Sequence, residues 1–406
     1  MGNILVGQSG GPTAAINASL YGIIAQGKEN MDIFEKIYGM RNGIEGFLDD
    51  RYVNLSDTIN ADDLELLKTT PSAYLGSCRY KLPKDINDAV YPRLFEKLNA
   101  LNITALFYIG GNDSMDTVAK LSAYAQTIGS DICILGIPKT IDNDLVEIDH
   151  TPGFGSAAKF VASAVRDISM DSHVYNTKSV TIIEIMGRHA GWLTAASLLA
   201  RKDKQDNPTL IYLPEVPFKL ESFYRDVEEK LAERNNVTVC VSEGISDEHG
   251  VFLCEYLQAA EADTFGHKNL TGCGKLLENM VKSKFGVKVR SVELNVIQRA
   301  CAFIGSKADI EEAVAASRFG VQAALAGETG KMISCERDAS AETYTLRYKT
   351  VPVSLVCNRE KKFPLEWITK NGTDISPAFL EYCTPLIMGE MQLKTENGLP
   401  AYCYLK

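Results

Sequence analysis

The chain reads as an α/β protein with two doubly wound, mostly parallel sheets. Three features of the sequence point there. Short apolar runs recur from the start to about residue 241, they are apolar along their whole length instead of alternating, and stretches of helical spacing separate them. A strand apolar at every position is covered on both faces. Strand–helix–strand alternation then gives parallel strands with helices on either side.

The elements follow in order. Residues 3–7 (NILVG) form the first expected strand, followed by a Gly-Gly turn and a helix from about 12 to 26. The run 104–109 (TALFYI) is the next strand, then Gly110-Gly111 and a helix over about 114–125. Residues 132–137 (ICILGI) make a third strand, and 157–170 has helical spacing, with Phe160, Val161, Ala164, Val165 and Ile168 on one side. The second half repeats the grammar: strand 179–185, helix 191–199, strand 209–213, helix 220–232 and strand 237–241. Two units fit the 406 residues, with a division near 140–155 that gives 1–150 and 151–297. Segments 344–348 and 351–356 read as an antiparallel pair, so 341–406 is expected to be a peripheral, partly antiparallel extension.

Composition narrows the function. At 45% hydrophobic and 23% charged residues the chain is ordinary globular material, and no apolar stretch approaches the ~18 residues of a membrane span. The opening MGNILVGQSGG has no basic n-region or long apolar h-region, so no secretory signal is expected there, and Val6 stands where a myristoylation motif wants serine or threonine. Ten cysteines without metal-ligand spacing suggest free thiols in a reducing cytoplasm and no zinc. A net charge of −10 argues against nucleic acid as a partner. It also means that any phosphate substrate must be bound by cations gathered at one place, because the general field repels it.

Ligands of such sheets collect at the carboxyl ends of strands, and four turns there carry phosphate-handling residue types. Gly7-Gln8-Ser9-Gly10-Gly11-Pro12-Thr13 brings glycines and a helix start near an anion, without Walker A or GxGxxG spacing. Gly110-Gly111-Asn112-Asp113-Ser114 opens a helix with two metal-capable side chains, although an Asx-type N-cap would account for the same residues. Pro138-Lys139-Thr140-Ile141-Asp142-Asn143-Asp144 places two carboxylates beside a lysine. One acid can take a proton from a hydroxyl while the other binds a metal or orients the nucleophile. Met186-Gly187-Arg188-His189 presents a guanidinium fork suited to a phosphate, with His189 read as a neighbour of the chemistry. The later GCGK at 272–275 lacks the Walker pattern and is set aside.

Together SGG, LGSCR, GGNDSM, PKTIDND and MGRHAGW resemble the phosphofructokinases, and within them the pyrophosphate-dependent branch. The likeness covers roughly residues 3–330, with the motifs in the family's order. It implies a phosphofructokinase-like fold with the active site between two domains: 1–150 for the phosphoryl donor, with part of 298–340 returning to it, and 151–297 for the sugar phosphate. It further implies that Asp142 is the base for the sugar's 1-hydroxyl, with Lys139, Asp113 and Arg188 also acting in catalysis. Thr140, Ile141, Met186, Gly187, Glu243, Arg290, Val296 and Arg299 would contact fructose 6-phosphate, and Gly11, Arg79 and Lys139 the diphosphate. Magnesium would be held by Asp144 with Asn112 and Asp113, leaving open which of the last two is the main ligand.

The donor rests on two residues. ATP-using relatives have a small glycine where Asp113 stands, and a carboxylate there would lie close to a nucleotide's α-phosphate. Two like charges at about 4 Å repel by several kcal/mol at the effective dielectric of a protein site. Lys139 can meet the charge of a departing phosphate, but lysine also occurs there in some ATP users, so Asp113 discriminates better. The sequence departs from the family at Asn112, usually an aspartate, at Val296, usually histidine or tyrosine, and at Ser179, where a neighbouring subunit often donates arginine; Lys178 adjoins it. The resemblance thus implies a cytoplasmic, magnesium-dependent homodimer or homotetramer. It would transfer a phosphoryl group reversibly from pyrophosphate to fructose 6-phosphate, giving fructose 1,6-bisphosphate and phosphate. An ATP-dependent 6-phosphofructokinase is the nearest alternative. A non-catalytic regulatory subunit is more distant, since TIDND and MGR both stand complete.

Overall fold

The computed structural model describes residues 2–203, 206–260 and 272–405. Its strands are β1 (Gly2–Gln8), β2 (Phe34–Met40), β3 (Tyr52–Asn54), β4 (Ile103–Gly110), β5 (Cys133–Pro138), β6 (Ser179–Ile185), β7 (Leu210–Tyr212), β8 (Asn236–Ser242), β9 (Lys288–Glu293), β10 (Lys331–Arg337) and β11 (Leu346–Pro352), beside two short two-stranded ribbons. The chain divides into two compact units, Met1–Ser156 with Arg299–Lys361 and Met388–Lys406, and Ala157–Gln298 with Lys362–Ile387.

The first unit is built on a seven-stranded sheet in the order β11-β10-β5-β4-β1-β2-β3. Its five inner strands run parallel, and the edge strands β3 and β11 pair antiparallel. The uniformly apolar runs explain this placement. Leu5, Leu106, Tyr108 and Ile134 feed the core on one face, while Ile4, Val6, Ala105, Phe107, Ile109, Leu135 and Ile137 feed the core on the other. Each Leu, Ile, Val or Phe among them, fully buried, stabilises the fold by roughly 1.5–3 kcal/mol.

The first helix, Ile16–Lys28, starts four residues later than the sequence suggests. Gly10 is left-handed at φ 77°, and Thr13 Oγ1 accepts the Ile16 N–H at 2.9 Å, so the chain stays in a turn until Ile16. The helix then lies against Lys307–Leu325, where Gly22 permits close contact: a Cβ there would stand 2.6 Å from the Val314 carbonyl oxygen.

The second unit carries a four-stranded, wholly parallel sheet in the order β7-β8-β6-β9. The helix Leu220–Glu233 packs Phe223, Val227 and Leu231 onto it, and Cys273–Phe285 adds Leu276, Leu277 and Val281.

The expectation for the end of the chain needs correcting. Residues 344–348 and 351–356 do not form a strand pair; 346–348 and 351–352 lie in the single strand β11, which pairs with β10 from Lys331↔Pro352 to Arg337↔Leu346, and Val353–Leu355 form a short 3-10 turn after it. A hairpin of their own would leave the outer edge of β10 unpaired beside a buried core. Nor do residues 341–406 make a separate extension, since 362–387 belong to the second unit and the rest to the first. Aromatic packing explains the split: Phe363 lies 5.1 Å and Tyr382 5.3 Å from Trp192, ring centroid to centroid.

A charged knot fixes the segment after β5. His150 is buried, with Nδ1 2.8 Å from Asp149 Oδ1 and Nε2 2.7 Å from Glu312 Oε2. Arg337 Nε donates to Asp149 at 3.0 Å, and Tyr344 donates its hydroxyl hydrogen to Glu312 at 2.8 Å. Burial alone would push the imidazolium pKa down, but the hydrogen bonds and charges of Asp149 and Glu312 outweigh it and raise it to about 9. A folded-state pKa above the unfolded value of ~6.5 stabilises the fold most below that value, and the contribution is lost as pH climbs through about 9. Chemical denaturation should therefore show the wild-type protein losing about 2 kcal/mol more between pH 7 and 9.5 than His150→Gln does. Equal slopes would remove the imidazolium from this account.

Candidate active site

Three of the four turns singled out from the sequence meet in the first unit. Strands β1, β4 and β5 are neighbours in register, so their carboxyl ends lie level. Their turns line one cavity of about 580 Å³, shared by Gly10, Gly11, Gly111, Asn112, Asp113, Ser114, Lys139, Thr140, Asp142 and Asp144. Asn358 and Glu360 complete the lining from much later in the chain.

Lys139 is the buried cation of this cavity, 2% exposed, and its ammonium donates to the carbonyls of Ser9 (3.1 Å) and Gly11 (2.7 Å). Burial, helped by the Arg299 charge and opposed by Asp142 and Asp144, lowers its pKa to about 8. Gly10 lies against the ammonium, 3.4 Å from its Cβ position to Nζ, and its left-handed φ of 77° is what calls for glycine there. The Ser9 and Ser114 hydroxyls bond each other, which locks the first turn to the second. The helix Asn112–Ile128 begins at Gly111, and no side chain caps it, so an Asx cap is not what Asn112 and Asp113 supply. Its open N-terminus instead faces an anion-sized cavity with the positive end of its dipole.

Asp142 is half-buried and receives its shape locally, its N–H donating to Thr140 Oγ1 at 3.1 Å. Thr140 is held from behind by Pro152, whose carbonyl accepts its N–H at 3.2 Å. Asn143 adopts a left-handed φ of 54°, which asparagine tolerates, and is fully buried. Its Oδ1 accepts from the N–H and hydroxyl of Thr151. The Ile141 side chain, 6% exposed, points into the protein core, so only its backbone is offered to a ligand.

The other residues read from the sequence are distributed unevenly. Asp113 lies at the rim, its side chain 79% exposed and paired with Lys81 at 3.0 Å. Asn112 Oδ1 accepts the Asn358 N–H at 2.7 Å and its amide donates to the Arg359 carbonyl, so its polar atoms hold a loop. Arg79 is exposed and follows Cys78, whose carbonyl accepts the Gly10 N–H at 3.4 Å. Arg299 approaches the glycine turn after β1: its guanidinium stands 3.6 Å from where a Cβ on Gly11 would be, and its buried Nε finds no hydrogen-bond partner among the described residues. Among the described residues no group of three or more His, Cys, Asp or Glu forms a metal cage. Magnesium does not require one, because it keeps waters and substrate oxygens and takes one or two carboxylates from protein. Asp142 and Asp144 in one cavity fit a divalent cation of that habit.

In the second unit β6 and β8 end together, Ile185 opposite Ser242, which sets Met186-Gly187-Arg188 beside Glu243. Glu243 N–H donates to Ile185 O at 2.8 Å, and Ser242 Oγ donates to Gly187 O at 2.7 Å. Gly187 has φ 125°, where a Cβ would stand 2.6 Å from Ala190 O, so the turn demands glycine. Arg188 is exposed and available. Arg290 is not brought to it. It pairs with Thr181 in the register of β9 on β6, five residues before Met186 and so about 16 Å along the strand, and it contacts Asp171 at 3.3 Å. Val296 is 54% exposed. The GCGK turn is occupied from within: Gly274 N–H donates to Glu184 at 2.7 Å, putting a carboxylate at that helix start.

Known proteins resemble this chain in sequence and fold. The family profile described as Phosphofructokinase matches residues 3–326. The chain is 38% identical over 402 residues to the pyrophosphate–fructose 6-phosphate 1-phosphotransferase of Halomonas elongata, covering 98% of this chain and 94% of that one. It is 39% identical over 411 residues to the protein of that name from Xanthomonas campestris, covering 100% and 96%. The crystal structure of a pyrophosphate-dependent phosphofructokinase from Marinobacter aquaeolei superposes with a TM-score of 0.90 at 36% identity, over 100% of this chain and 96% of that one. With its glycine turn, TIDND loop and MGR turn on two parallel sheets, the chain belongs to the phosphofructokinase family.

Proposed function

We propose that the protein transfers a phosphoryl group reversibly between pyrophosphate and the 1-hydroxyl of fructose 6-phosphate, giving fructose 1,6-bisphosphate and phosphate with Mg²⁺. One observation carries the reading: a buried lysine, two aspartates, a glycine turn and an open helix N-terminus share one cavity. Asp142 accepts the proton of the sugar hydroxyl as its oxygen bonds to phosphorus. The bond to the bridging oxygen breaks, and the departing phosphate keeps that oxygen's electron pair. Lys139, the backbone near Gly10 and Gly11 and the dipole of Asn112–Ile128 stabilise the charge that collects there. Asp144, with Asn112 or Asp113, would hold the magnesium ion, which supplies charge neutralisation between phosphate oxygens when bound.

The sugar phosphate is assigned to Met186, Gly187, Arg188 and Glu243 in the second unit, with Arg299, Arg290 and Val296 for its 6-phosphate; Thr140 and Ile141 present the loop, and Arg79 reaches the donor. The ten free cysteines suit a reducing cytoplasm, and among the described residues no helix is long and apolar enough to cross a membrane.

The deciding measurement is turnover of purified protein with fructose 6-phosphate and either donor. Pyrophosphate should support it and ATP should not, and Asp142→Asn should lower kcat by roughly 10²–10⁴. Turnover with ATP alone would sink the donor assignment, and an Asp142→Asn rate within a few-fold would sink the base. Asp113→Gly should raise the ATP rate only about tenfold, because exposure and Lys81 weaken the repulsion.

Burial that lowers the Lys139 pKa to about 8 gives a second expectation. In the free enzyme kcat/KM for pyrophosphate should fall as pH rises above about 8, and Lys139→Arg should move that limb upward. A limb unmoved by the substitution would assign it to another group.

Arg290 yields a third. Its distance along β9 from the MGR turn leads us to infer a homodimer or homotetramer in which a second copy supplies it. Arg290→Ala and Asp142→Asn chains, dissociated and reassembled together, should regain roughly a quarter of wild-type activity. No recovery would place Arg290 in its own chain's site or outside any.

A further inference from the structure

Residues 358–361 come from beyond the matched family region, yet they touch two of the three turns that form the cavity. At one end, Asn358 N–H donates to Asn112 Oδ1 at 2.7 Å, Arg359 O accepts from the same amide, and Asn358 Nδ2 donates to Asp116 at 3.1 Å. At the other, the backbone N–H of Lys361 donates to the carbonyl of Asp144 at 2.7 Å. Its ammonium then reaches under the same loop, to Asp149 O (2.8 Å), Ile148 O (3.1 Å) and Asn143 Oδ1 (3.4 Å).

The geometry points to Lys361 as a positioning residue for the phosphoryl-transfer loop: it pins Asn143 and the carbonyls on either side of the turn, so that Asp142 and Asp144 face the cavity at a fixed spacing from the turn bearing Asn112. This rests on the function proposed above. A loop of this kind gains its rate from placement, and a shift of about 1 Å in a reacting group can cost roughly a hundredfold. Cross-linking a donor turn to an acid loop through a third segment opposes such a shift. Lys361 touches no substrate in this role; it acts through the backbone of 143–149.

The test uses full-length Lys361→Met, with Lys361→Gln as a second variant that keeps an amide donor should the first fail to fold. Wild type and variants are compared by steady-state kinetics with pyrophosphate and by amide hydrogen exchange. The expected result is a kcat lower by roughly 10- to 100-fold with KM for fructose 6-phosphate within about threefold. Exchange should quicken within residues 141–149 while β1 and β4 stay protected, and Lys361→Gln should fall between wild type and Lys361→Met. A kcat within twofold of wild type overturns the assignment, as does exchange that quickens evenly across the first unit. Should wild type itself fail to turn over with pyrophosphate, the proposed function falls and the exchange pattern alone decides the role of Lys361.

Discussion

The parallel register of β1, β4 and β5 is the constraint on which the site depends. Gln8 pairs with Ile109 and Ile109 with Ile137, so three strands stop within a residue of one another. Each then turns through glycine or proline into a loop or helix start, and the three turns have no choice but to share one cavity. The register itself is held by side chains buried on both faces. Slipping one strand by a residue would exchange the two cores and move a turn by about 3.3 Å. The chemistry is therefore placed by hydrophobic packing.

That placement resolves an electrostatic difficulty. The chain carries a net charge of −10, and its substrates are anions. Lys139 gathers positive charge where the field would otherwise repel it, but a buried ammonium is costly unless it is hydrogen-bonded. The carbonyls of Ser9 and Gly11 meet that need, and the left-handed Gly10 brings them within reach. The glycine turn thus holds a cation with its own carbonyls, in a spacing that matches no nucleotide motif. Asp142 and Asp144 oppose the effect of burial, since their charge raises a pKa that burial lowers.

The legible part of this was local. Uniform apolar runs announced β1, β4, β5, β6 and β8 to within a residue or two, because covered strands leave no alternation to confuse. Residues next to each other in sequence, such as Lys139 and Asp142 or Met186 and Arg188, were legible as clusters for the same reason. What stayed hidden was set by long-range contact. β2 and β9 carry charged residues among apolar ones and do not stand out. Lys361 sits in the run CNREKKFP, which has the charged composition of a surface loop, and nothing within it signals a partner more than 200 residues earlier. Nothing near Asn112 in the sequence signals that its amide also bonds residues 358 and 359.

The GCGK turn shows why a motif has to be weighed with what fills it. Both it and the turn after β4 place glycine at the start of a helix on a parallel sheet, and both helix starts lack a side-chain cap. In the second unit the helix dipole is met by Glu184, whose carboxylate accepts the Gly274 N–H and lies where a Cβ on Gly272 would stand 2.4 Å away. That glycine is required to admit a carboxylate the protein brings itself, and burial raises the pKa of this acid in turn. At the Gly111 helix start a Cβ would meet nothing closer than 3.6 Å, and the space beyond is open cavity. Two turns of like composition therefore differ in what they face: one is met by a carboxylate of its own chain, and the other opens onto a cavity.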